Sequence, residues 1–120
     1  MYMVMFVLDD STLLDEVLDA WYNAGITGAT IFESNGIFRQ RAKRFNLPLR
    51  YSLPHVTARI EANYTIMAIV PDEETVQACL KASEKVVGDL DQPYTGVFAS
   101  WPLTFVKGVR IEKKSPSAGE

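Results

Sequence analysis

The order of hydrophobic periods constrains this chain more than any other feature. A strand period, a helix period and a second strand occur in the first half, and the same succession returns in the second half. Tyr2 to Leu8 is rich in β-branched, aromatic and methionine side chains, the composition of a buried strand. Asp9, Asp10 and Ser11 follow, residue types whose side chains accept hydrogen bonds from the free N–H groups of a helix start. Leu13, Leu14, Val17, Leu18 and Trp21 then recur at helical spacing on one face, which places Trp21 in a core. Asn23-Ala24-Gly25 supplies the stop, because glycine accepts the left-handed conformation past a helix end. Ala29 to Ser34 has the pattern of a second strand.

The second half begins with a long strand period over His55 to Val70, alternating at first and more continuously apolar from Tyr64. Pro71-Asp72-Glu73-Glu74 is a helix start, with acids where the positive end of the helix dipole favours them. Val76, Cys79, Leu80 and Val86 share a face, and Gly88 ends the helix. Asp89 to Gly96 is a loop, in which Asp89 and Asp91 have the chemistry of a turn. Val97 to Trp101 and Phe105 to Ile111 are two short strand candidates on either side of Pro102. The order β-α-β, β-α-β predicts an α+β ferredoxin-like sandwich, an antiparallel sheet with two helices on one face. Nothing in the sequence covers the other face of that sheet, so self-association is expected, and Trp101 fits either a subunit interface or the core.

At 120 residues the chain has room for one core, expected to span residues 1–111, with 112–120 as a flexible tail. A formal net charge of -3 gives no support to nucleic-acid binding through bulk charge. Aspartates follow directly on the short apolar run at the N-terminus, which argues against a signal peptide, and no run is long enough to span a membrane. The single cysteine, Cys79, excludes an intrachain disulfide and reads as a small buried hydrophobe. A cytoplasmic location is the expectation. His55 and Cys79 form no pair at metal-ligand spacing, and Ser11 and Ser34 have no visible base, so neither a metal site nor a catalytic residue is expected. Asp9 and Asp10 are better explained as caps than as a catalytic carboxylate pair.

Between the halves lies a basic excursion. Arg39, Arg41, Lys43, Arg44 and Arg50 stand in it without an intervening acid, and Pro48 and Pro54 exclude a long regular element. A connection of that length is usually functional or disordered. Phe38 to Pro54 is expected to be mobile or disordered without a partner, and its basic run fits either a partner-binding loop, with Phe38, Arg41, Lys43, Arg44, Arg50 and Tyr51 as the contact residues, or a solvated loop.

The junction before the excursion is the most specific stretch. Ala24-Gly25-Ile26-Thr27-Gly28-Ala29-Thr30-Ile31 closes the first helix and enters the second strand, and Asn35-Gly36-Ile37-Phe38-Arg39-Gln40 follows. A glycine-containing turn, a threonine-bearing strand and Gly-x-x-Arg-Gln, together with Ile69-Val70-Pro71-Asp72 at the later strand-to-helix junction, resemble the P-II (nitrogen regulatory) signalling family over roughly residues 1–111. That resemblance implies a homotrimer that binds an adenine nucleotide, often with 2-oxoglutarate and magnesium, in clefts between subunits. It also implies that a long T-loop, here 38–54, regulates a transporter or enzyme. Carried over position by position, it puts Thr30 near the adenine and Gly36 and Arg39 at the base of the T-loop. Gln40 falls at the phosphate, metal and 2-oxoglutarate contacts. The family's second phosphate loop, Thr-Gly-x-x-Gly-Asp-Gly-Lys, is eroded here to Val87-Gly88-Asp89-Leu90-Asp91-Gln92-Pro93-Tyr94-Thr95-Gly96-Val97, in which Gly96 alone is retained near the lysine position. Lys107 and Arg110 stand in for the family's paired arginines, and Leu49-Arg50-Tyr51 replaces its Tyr-Arg-Gly-x-x-Tyr stretch.

No cofactor follows from the residues themselves. With aspartates and a proline where glycines and a lysine would cradle a triphosphate, AMP, ADP or a cyclic nucleotide is expected ahead of ATP. The competing expectation is a structural or protein-interaction trimer without a ligand. A small hydrolase on the same fold would need a phosphate-cradling loop after the first strand, where this chain has Leu8-Asp9-Asp10-Ser11.

Overall fold

A computed structural model describes residues 1–37 and 63–110 of the chain. The elements run β1 (Tyr2–Leu8), a 3-10 turn (Ser11–Leu13), α1 (Leu14–Asn23), β2 (Thr30–Ser34), β3 (Asn63–Val70), α2 (Glu73–Val87) and β4 (Gly96–Pro102). The four strands form one sheet in the order β2-β3-β1-β4, and every neighbouring pair is antiparallel. The fold is therefore α+β, a four-stranded antiparallel sheet with two helices, compatible with a ferredoxin-like arrangement.

Strand parity divides the sheet into two faces. Val4, Phe6 and Leu8 of β1 and Ile66, Ala68 and Val70 of β3 turn inward and are buried with Val17 and Trp21 of α1 and Val76 and Cys79 of α2. Both helices thus pack on that one face. Phe6 also meets Phe98 of β4, ring centroids 6.3 Å apart and tilted.

The helix ends follow local chemistry. The Asp10 carboxylate accepts hydrogen bonds from the Thr12 N–H (3.0 Å) and hydroxyl (2.6 Å), which opens the 3-10 turn leading into α1. At the other end Gly25 has φ +99°, its N–H donates to the Tyr22 carbonyl and the Ile26 N–H donates to the Trp21 carbonyl. This is the Schellman arrangement, and glycine is the residue that adopts it without strain. Asp72 caps α2 by accepting from the Thr75 N–H (2.8 Å) and hydroxyl (2.7 Å), and Gly88 closes it.

Two features depart from the sequence-based expectation. Ser83 lies fully buried on the apolar face of α2, with Val76 and Cys79, whereas Leu80 is only half-buried. Its hydroxyl accepts the Trp21 indole N–H at 2.8 Å and donates to the Cys79 carbonyl at 2.8 Å. A polar residue survives there because both its hydrogen-bonding functions are used. Second, no strand forms over 105–110. β4 pairs with β1 as far as Pro102 opposite Tyr2, and one further bond joins the Leu103 N–H to the Met1 carbonyl. Beyond it the segment has no ladder partner among the described residues, and Gly108 turns it with φ +90°.

Candidate functional site

A cleft of about 450 Å³ opens where the α1–β2 turn meets the central strands. One wall is the backbone-rich run Gly25 to Thr30, and Met3, Met67 and Ile69 form the apolar wall. Val109 and Arg110 close a third side. The Schellman turn at Gly25 brings the exposed Thr27-Gly28 corner round to this position, and β2 then starts at Thr30 opposite Met67 of β3. Among the described residues that line the cleft, Arg110 carries the one formal charge. An apolar wall, an exposed glycine corner and a single guanidinium can accept a ring with an anionic substituent.

Of the residues expected to bind a ligand, Thr30 and Arg110 come together in this cleft. Lys107 is exposed and does not line it. Gly36 and Gly96 lie elsewhere. β2 ends with Ser34 opposite Asn63, so the exposed Gly36 lies beyond that far end, with no described residue where a side chain would project. Gly96 is opposite Leu8 on the other edge strand, at the same end of the sheet as Gly36. Three strand spacings separate the two edges, roughly 14 Å, so within one chain these two glycines do not converge with each other or with Thr30. Gly96 has a structural reason to be glycine. Its φ is +136°, and a Cβ there would collide with the Val7 carbonyl and come within 3.0 Å of the Phe6 ring. Arg39 and Gln40, and the partner-loop residues Phe38, Arg41, Lys43, Arg44, Arg50 and Tyr51, lie outside the described residues.

The loop before β4 is closed by its own bonds. The Asp89 carboxylate accepts the Asp91 N–H at 2.9 Å, and the Asp89 carbonyl accepts the Gln92 N–H at 3.0 Å. The Thr95 hydroxyl donates to the Gln92 carbonyl at 2.8 Å, and Tyr94 takes φ +65°. Turn chemistry thus accounts for Asp89 and Asp91. Their loop leads into the Gly96 end of the sheet, away from the Thr30 cleft.

The sheet face away from the helices presents Met3, Met5 and Val7 of β1, Met67 and Ile69 of β3, Phe32 of β2, and Val97, Ala99 and Trp101 of β4. No strand position on this face has a charged side chain. Phe32 is 44% exposed, Val97 57% and Trp101 40%, so Trp101 is not a core residue of the chain. Near the Gly36 end the same face turns polar. The Thr65 hydroxyl donates to Ser34 Oγ at 2.8 Å, and Ser34 Oγ donates to Asn63 Oδ1 at 2.6 Å.

Cys79 is fully buried, and burial pushes its thiol pKa up to about 12, so it is the packing residue expected. Among the described residues no group of three His, Cys, Asp or Glu side chains could hold a metal ion, and no helix is long and apolar enough to cross a membrane. Neither a protein-family model nor a curated protein sequence matches the chain. The Met3, Met67 and Ile69 wall was the part of the site missed from sequence. Its one signal was the period-2 placement of methionines in Met1-Tyr2-Met3-Val4-Met5, which marks one side of β1 without saying which side the helices cover.

Proposed function

We propose that this chain is a P-II-like signalling protein: a cytoplasmic homotrimer of ferredoxin-like subunits that senses a small anionic, nucleotide-type ligand and regulates a transporter or enzyme through its basic loop. The observation that carries the proposal is the meeting of Thr30 and Arg110, remote in sequence, at one apolar-walled cleft. The resemblance of the Thr27–Gln40 stretch to the P-II family names the ligand class and the loop. The uncharged open sheet face supports self-association, since a solvated sheet face ordinarily alternates with polar groups. Five cations and no acid in 38–54 suit an acidic partner surface.

One guanidinium balances the small charge of a cyclic nucleotide or AMP best, that of ADP less well and that of a triphosphate least, which favours AMP, ADP or a cyclic nucleotide over ATP. Thermal shift and titration calorimetry with these nucleotides test it. A ligand at ~100 times its dissociation constant should stabilise the protein by ~2.7 kcal/mol, and Arg110→Ala should weaken binding at least tenfold. Light scattering is expected to return three chains per particle, and a monomer mass at micromolar concentration would remove the intersubunit site. The self-closed Asp89–Thr95 loop favours a second reading, a protein-interaction trimer without a ligand. It becomes the better description if no nucleotide gives heat.

A further inference from the structure

The chain contains four methionines, Met1, Met3, Met5 and Met67. The sheet register gathers three of them on one face. Met5 stands directly opposite Met67 across the β1–β3 ladder, and Met3 is two residues along β1 with the same parity. Side chains directly opposite in an antiparallel pair have Cβ atoms about 4.5–5.5 Å apart, and diagonal neighbours are about 7–8 Å apart. Each methionine has three rotatable bonds, so three sulfurs on such a grid can turn towards one point. All three side chains are part-exposed, and Met1 continues the same parity. Trp101 stands directly opposite Met3 across the β1–β4 ladder, with its ring 40% exposed on the same face.

We infer that Met3, Met5 and Met67 form a thioether site for a soft monovalent cation, Cu(I) or Ag(I), with the Trp101 indole beside it. Thioether sulfur is neutral and polarizable. It holds a soft d10 cation and has little affinity for zinc, magnesium or calcium, which take imidazole, thiolate or oxygen donors. The face carries no carboxylate to draw a hard cation. No lysine or arginine occupies its strand positions, and Arg110 is the one cation that lines the cleft shared by Met3 and Met67. The indole adds attraction through its ring face. This is also the face proposed above for self-association, which methionines suit in their own right, so in the trimer the site would lie at a subunit interface and the test must read sulfur coordination itself.

The full chain, with its methionine ε-methyl groups labelled with carbon-13, is titrated with silver nitrate in chloride-free buffer. The expected result is that the Met3, Met5 and Met67 resonances move together and saturate at one Ag(I) per chain, with quenching of the exposed Trp101 and not of the buried Trp21. Met5→Leu and Met67→Leu, both close in volume, should each weaken Ag(I) at least tenfold with an unchanged circular dichroism spectrum. Cys79→Ala should leave binding intact. Competition with a Cu(I)-specific chelator should give the same ranking of variants. Methyl resonances unmoved at one equivalent, binding that survives both leucine variants, or binding lost in Cys79→Ala would each overturn the site.

Discussion

Replacing Ser83 by alanine tests how the two helices are joined. The Trp21 ring is 1% exposed and Ser83 is 0% exposed, so the indole N–H has no water to turn to when the 2.8 Å bond to Ser83 Oγ is removed. A buried donor left unpaired costs about 1–3 kcal/mol. Two effects offset part of this. Alanine has the best helix propensity, worth up to about 0.7 kcal/mol, and the back-bond from Ser83 to the Cys79 carbonyl is itself mildly unfavourable to a helix. The net loss is about 1–2 kcal/mol, which for a chain of this size lowers Tm by roughly 3–12 °C. Urea unfolding followed by circular dichroism at fixed protein concentration measures it without relying on tryptophan emission. The decisive comparison is with Trp21→Phe, which has no N–H to orphan. In that background Ser83→Ala should cost under about 0.5 kcal/mol, a coupling near 1 kcal/mol across the cycle. Equal costs in both backgrounds, or a stability-neutral Ser83→Ala, would refute the reasoning.

Gly96→Ala should destabilise by about 1–3 kcal/mol or more, because φ +136° strains any L-residue and the new Cβ meets the Val7 backbone; an unchanged urea midpoint would contradict this. The bonds from Thr75 to Asp72 lower that carboxyl's pKa, so its stabilising effect is present above the unfolded value of ~3.9 and is lost as pH falls through the lower folded value. Asparagine caps a helix at any pH, so Asp72→Asn should leave stability near its pH 7 level and flatten its loss between pH 4 and pH 2, read from urea midpoints. Cys79, buried and with its pKa pushed up to about 12, should resist Ellman's reagent at pH 8 in the folded protein and react fully in guanidinium; reaction at the rate of a free thiol would show that α2 does not pack as described.

The sequence by itself determined the succession of strands and helices as far as β4, and the ends of the helices. Those features rest on contacts within a few residues: Asp10 with Thr12, Asp72 with Thr75, Gly25 with Tyr22 and Ile26 with Trp21. It also showed Trp21 and Cys79 as core, since helical spacing places each on an apolar face. Tertiary structure decided what depends on partners far along the chain. β1 is apolar on both sides, so its periodicity could not say that Val4, Phe6 and Leu8 meet the helices while Met3 and Met5 remain on the open face. Nothing local to α2 explains a buried Ser83; its donor comes from Trp21, on another helix. Phe105 to Arg110 has the composition of a strand, but β4 pairs with β1 as far as Pro102 opposite Tyr2, and the segment beyond joins no ladder among the described residues. The same segment, released from the sheet, carries Arg110 to the cleft beside Thr30. A side chain's type is local, but whether it becomes core, site or open surface depends on what the rest of the chain brings against it, and only the packed fold specifies that.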